Sequence, residues 1–170
     1  MVEALRHVAF LIFPVGMALA AASDLLTMTI SNRLVAVLAL AFIALALVVG
    51  LDLHSLGIHL AAGAVIIALA FFCFAMGWMG GGDAKLAAVI ALWFGVEHSL
   101  DFLLLASILG GGLTLLVLSY RAVVLPAFAV HLDWLQRLHD RQQGVPYGIA
   151  LAAAALAIYP QTVWMSLATG

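Results

Sequence analysis

Asp83 stands in "GWMGGGDAKL", residues 77–86, directly after three consecutive glycines and two positions before Lys85. Asp24 stands in "AAASDLLTMTISNRL", at the end of the first apolar stretch. Only 8% of the chain is charged, so an acid beside an apolar segment is costly and points to function. Two carboxylates brought within a few ångströms cannot both ionise easily, and such a pair shares one proton. The charged member can take a proton from water while the protonated member donates to a peptide carbonyl. That is the chemistry of an aspartic protease. The titration belongs to the pair, so neither role is assigned to one residue.

Each residue also has a plainer reading. Asp83 precedes "AKLAAVIAL" and would serve as a helix N-cap, accepting a backbone N–H of the first turn. Asp24 would be an acid in an interfacial loop. Lys85 would snorkel to lipid headgroups, or tune the local potential. Gly80, Gly81 and Gly82 do not serve helix stability, since glycine costs about 1 kcal/mol relative to alanine in a helix. Glycines allow another backbone to come close, and an extended peptide could lie against them. No Walker pattern follows them, which disfavours a nucleotide site. His7, His54, His59, His98, His131 and His139 show no zinc spacing and no HExxH, so neither a metal nor another cofactor is expected. Cys73, the single cysteine, allows no internal disulfide and reads as a small buried hydrophobe.

The elements that must position these acids are helices in a membrane. The chain has 170 residues, is 67% hydrophobic and has a mean hydropathy of +1.26. Soluble domains are about half apolar, and a chain of this size could not hide so much apolar surface from water. An all-α, polytopic membrane protein follows, with lipid as its surroundings and no basic tract to bind nucleic acid. A span needs roughly 20 mostly apolar residues. Six candidates form one membrane-embedded domain over residues 1–170: 5–22, 34–51, 56–77, 84–96, 100–120 and 146–167. The fourth is short, as if its start were drawn into a cavity. Arg6 and Ala20-Ala21-Ala22 give the first span a competing reading as a cleavable signal peptide, against which Glu3 stands. The apolar segment after Asp24 suggests a helix running past the membrane face, with Ser31-Asn32 ending it. In residues 121–143, Phe128, Leu132, Leu135 and Leu138 recur at helical spacing among polar neighbours. They predict an amphipathic interfacial helix over about 127–141, with Asp133 pairing Arg137 and Pro126 marking the break before it.

Six spans place Arg33, Lys85, Arg121, Arg137 and Arg141 on one side and only Arg6 on the other. The positive-inside rule makes the first side cytoplasmic and puts both termini outside. Asp24 and Asp83 then share the cytoplasmic face, where a bundle can join them.

"GGGDAKL" resembles the GxGD motif of the type IV prepilin peptidases, a family of membrane aspartic proteases. "SDLLTMTISNRL" resembles their first-aspartate segment, and "VPYGIALAAAAL", residues 145–156, their closing Pro-Tyr-Gly segment. The resemblance implies Asp24 and Asp83 as the catalytic pair. It implies Gly80, Gly81, Gly82, Lys85, Asn32 and Tyr147 as substrate contacts. The substrate would be a prepilin or pseudopilin whose basic leader is cut at the cytoplasmic face of a bacterial inner membrane, with the pilus assembly machinery as a further partner. The short chain is similar to the tight-adherence (Flp) subgroup. It lacks the paired cysteines of larger, methylating members, so peptidase activity without N-methylation is expected. Ser31 stands where the family commonly has proline, and residues 25–30 lack the basic residues often found there. Two other classes remain open on the residues alone. One is a small transporter or ion- or proton-relay subunit using Asp24 and Asp83. The other is a scaffold in which both acids only cap helices.

Overall fold

The computed structural model describes residues 10–124 and 131–169. Among them are seven α-helices and no strand: α1 (Ile12–Thr27), α2 (Asn32–Val49), α3 (Leu53–Ala75), α4 (Gly81–Ala122), α5 (Asp133–His139), α6 (Tyr147–Ile158) and α7 (Val163–Thr169). A 3-10 turn, Tyr159–Gln161, joins the last two. Helices α2, α3 and α4 are long and apolar enough to cross a membrane, and α1 and 147–161 are shorter apolar helices.

Local chemistry sets the ends of the first three. Met28 takes a left-handed conformation (φ 54°) and its N–H returns to the Asp24 carbonyl at 2.8 Å, which stops α1. Ser31 then caps α2, its hydroxyl accepting the Arg33 N–H at 3.2 Å. Ser31-Asn32 therefore begins the second helix instead of ending the first. Asp52 caps α3 by accepting the N–H groups of His54 and Ser55 at 3.0 and 3.1 Å.

Helix α4 is a hairpin of two arms. Gly95 has φ 67° and ψ −173°, a conformation open to glycine and almost nothing else. Asp83 and Thr114 line the same cavity, whereas a straight helix rising about 1.5 Å per residue would hold them roughly 45 Å apart. The chain therefore folds back at Gly95, into arms 81–94 and 96–122. The expected spans 84–96 and 100–120 are these arms, joined through one residue and not through a loop.

Other expectations need correction. The last span, predicted as one helix over 146–167, breaks at Tyr159–Gln161, where Pro160 supplies no N–H. Six separate membrane helices are thus not reproduced among the described residues. Among the described residues of the predicted interfacial helix, Asp133–His139 forms an α-helix, and it buries no residue. Pro126, Phe128 and the expected start of the first span at residue 5 lie outside the described residues. Arg137 donates to the Leu26 carbonyl, tying α5 to the end of α1.

The core is aromatic and sits away from the acids. Trp93 is fully buried, with ring centroids 5.0 Å from Phe13 and 5.2 Å from Trp164. Its indole donates to the Leu38 carbonyl at 3.0 Å, and Trp164 donates to the Trp93 carbonyl at 2.6 Å. Helix α6 packs against both α1 and α4 through buried Ala150, Ala152, Ala154 and Ala155, small residues that let backbones approach. Leu40, Leu47, Val48, Leu115 and Leu116 point outward, as lipid-facing residues do.

Candidate active site

Asp24 lies in the last turn of α1 and is buried, with 5% of its surface exposed. Its Oδ2 accepts the N–H of Gly148 at 2.7 Å. Gly148 is the second residue of α6, so its N–H is one of the donors a helix start leaves without an internal partner. A negative charge there also faces the positive end of the helix dipole. Asp24 is therefore no loop acid. It lies inside its own helix and satisfies the start of another.

Asp83 is not the N-cap of α4. Gly80 holds that position, with φ −71° and ψ 145°, and Asp83 is the third residue beyond it. From there its carboxylate lies against Gly80. Its Oδ2 sits 3.0 Å from where a Cβ on Gly80 would stand.

The triple glycine is occupied by the protein itself. A Cβ on Gly82 would meet Ile30 Cβ at 3.2 Å, and one on Gly81 would meet the Phe74 ring at 3.3 Å. These positions seat the 28–30 loop and α3 against the start of α4. The result is a cavity of about 270 Å3 lined by Asp24, Asp83, the three glycines and Met28-Thr29-Ile30. The two carboxylates, on α1 and α4, thus border one space.

A larger cavity, about 690 Å3, lies beside Gly80 and Asp83. Trp78, Met79, Val145 and Tyr147 contribute apolar walls, and Cys73 and Thr114 complete it from α3 and α4. Cys73 is half-buried at that wall, more open than the fully buried hydrophobe expected from sequence. Tyr147 donates to the Ala106 carbonyl at 3.3 Å, and its ring fills the place where Gly110 lacks a side chain. Asp83 therefore stands between a small space shared with Asp24 and a larger apolar one.

Lys85 and Asn32 are drawn together but not into either cavity. Lys85 Nζ donates to Asn32 Oδ1 at 2.9 Å, both side chains are exposed, and the bond ties the start of α2 to that of α4. Arg121 and Arg137 lie at this same end, bonded to carbonyls of the 138–144 segment and of Leu26. Glu97 and His98 line a separate cavity of about 180 Å3 beside the Gly95 turn. There His59 bonds the Leu92 carbonyl through Nδ1 at 2.8 Å.

Sequence reasoning placed Arg121 on the side of the two acids but missed the contacts that Gly148, Ile30 and Arg121 make at this end. Gly148 stood inside a segment already singled out, yet its bond to Asp24 spans 124 positions and leaves no local signal. A basic residue closing an apolar span reads as an orientation marker, so Arg121 drew no attention for its contacts.

Residues 11–115 match the type IV leader peptidase family. That stretch holds both aspartates and the three glycines, and stops short of Tyr147 and Gly148. No curated protein and no solved structure matches the chain.

Proposed function

The chain belongs to the type IV leader peptidase family, and on that premise we propose that it is an aspartic endopeptidase with Asp24 and Asp83 as its catalytic pair. The observation that carries this is their shared cavity, bordered by Gly80, Gly81 and Gly82. With one proton between the two acids, the ionised carboxylate takes a proton from water. The water oxygen bonds to the scissile carbonyl carbon, and the protonated acid stabilises the oxygen that gains charge. Collapse of the tetrahedral intermediate breaks the C–N bond, and a proton returned by the pair leaves with the amine. The Gly148 N–H holds one oxygen of Asp24 throughout, which fixes its rotamer. No metal or organic cofactor takes part in this scheme.

The substrate is the basic leader of a prepilin or pseudopilin of the Flp type, cut at the cytoplasmic face of a bacterial inner membrane. The new amino terminus is not methylated. Gathering of Lys85, Arg121 and Arg137 at the aspartate end supports that orientation under the positive-inside rule. Gly80 and Tyr147, which border the larger cavity beside Asp83, line the path of the extended leader, while Lys85 and Asn32 stand at its rim.

Co-expression with a Flp-type prepilin tests this reading by mass spectrometry. The wild-type chain shortens the pilin, and Asp24→Asn and Asp83→Asn leave it full length. Processing by both variants at the wild-type level rules the pair out.

A further inference from the structure

Arg121 is 9% exposed at the end of the 96–122 arm of α4. A guanidinium keeps its charge and has five donors to satisfy, so a buried one must find acceptors. The acceptors here are backbone carbonyls. Nε donates to Leu138 at 2.7 Å, and Nη2 donates to Gln143 at 3.1 Å and to Gly144 at 2.8 Å. A basic residue placed only to mark the cytoplasmic side would extend toward headgroups. This one turns inward.

The Leu138 carbonyl is in the last turn of α5, and those of Gln143 and Gly144 belong to the segment that carries the chain into α6. Gly144 and Val145 line the larger cavity together with Asp83. Four residues after Gly144 comes Gly148, whose N–H is on Asp24. Side-chain packing does not hold Gly144, since a Cβ there would meet nothing within 4 Å. The guanidinium ties residues 138–144 to the helix bundle, just ahead of the buried Pro146 and the seated Tyr147 ring.

We propose that Arg121 is a positioning residue for the peptidase reaction: its clamp on Leu138, Gln143 and Gly144 sets the start of α6, so that the Gly148 N–H meets Asp24. The inference rests on the reading of Asp24 and Asp83 as the catalytic pair. Lysine cannot replace the arginine, because a single ammonium does not reproduce a planar fork that reaches all three carbonyls.

The test uses the full chain in detergent micelles with a purified Flp-type prepilin. Arg121→Lys and Arg121→Gln are compared with Gly148→Ala, with the Arg121→Lys/Gly148→Ala double variant and with Asp24→Asn. Arg121→Lys is expected to lower kcat by about 10- to 100-fold, the scale of a misplaced catalytic group. KM should stay within about twofold, since the clamp does not touch substrate. Amide exchange over 144–149 should speed up by about tenfold or more with the rest of the chain unchanged, the mark of a local opening. The double variant should be no slower than Gly148→Ala alone, because both changes disturb one contact. The proposal is overturned by a wild-type kcat in Arg121→Lys, by losses that multiply in the double variant, or by unchanged exchange over 144–149. It also falls if both Arg121 variants lose the native thermal transition, which would make the residue a structural one. Asp24→Asn that still cleaves defeats the catalytic reading instead. Exchange is measured without substrate, so it judges the clamp separately.

Discussion

Gly148 donates its backbone N–H to Oδ2 of Asp24 at 2.7 Å, joining the start of α6 to the last turn of α1 across 124 positions of the chain. A side chain at position 148 would crowd this bond. A Cβ at position 148 would lie 2.8 Å from that same oxygen and 2.8 Å from Ile30 Cδ1. Gly148→Ala should therefore lower prepilin cleavage by about 100-fold through displacement of Asp24. Overpacking should cost about 1–3 kcal/mol of stability. Gly111→Ala, where a Cβ would meet nothing within 4 Å, serves as the control and should cleave normally. Equal activity in the two variants would mean that Asp24 does not depend on this contact.

The aspartates themselves are tested by pH and by substitution. A pair that works with one proton loses its base when both members are protonated, and loses its acid when both are ionised. Activity should fall on both the acid and the alkaline side of an optimum, giving a bell-shaped profile of kcat/KM. Asp24→Asn or Asp83→Asn should each reduce kcat by about 100-fold to 10,000-fold, the usual weight of a positioned acid or base. The chelator EDTA should leave the wild-type rate unchanged. A rate that collapses in EDTA and returns with added zinc would contradict a two-aspartate mechanism.

The turn of α4 should tolerate no side chain. Gly95 has φ 67° and ψ −173°, and a Cβ there would stand 3.3 Å from the His59 ring. Gly95→Ala should lower the thermal transition by an amount equivalent to about 1–3 kcal/mol from backbone strain alone. Cleavage should fall with it, since Asp83 and Thr114 sit on opposite arms. A variant with wild-type stability would show that the arms are held apart from the turn.

Tyr147 and Gly110 make a reciprocal pair. A Cβ at Gly110 would come within 2.0 Å of Tyr147 Cζ, so Gly110→Ala must push the ring out of its seat. We expect a stability loss of about 1–3 kcal/mol, followed in thermal unfolding. Adding Tyr147→Ala should recover most of it by emptying the seat. No recovery in the double variant would place the strain somewhere other than the ring.

Lys85 and Asn32 are expected to act on binding alone. They bond to each other at 2.9 Å on an exposed surface, outside both cavities. Lys85→Met should raise KM for a leader peptide several-fold and leave kcat within about twofold, the pattern of a contact made equally in ground and transition states. A large drop in kcat would bring Lys85 into the chemistry.

Much of this protein could be read from its residues in order. Hydropathy carries the membrane and the helices, because every apolar run must bury its own backbone bonds. The two acids were legible because a charge is rare and costly in so apolar a chain, and the glycines because they contradict the helix they open. The tertiary structure decided what those features do to one another. It made Gly95 a turn between two arms where the sequence read a loop. It gave the glycines of 80–82 to the protein's own Ile30 and Phe74. It moved Asp83 from N-cap to the third position, and it set Asp24 against Gly148. Periodicity and composition report how a residue meets its neighbours along one helix. Which amide a buried carboxylate finds is settled by how helices far apart in the chain pack, and no local pattern records that.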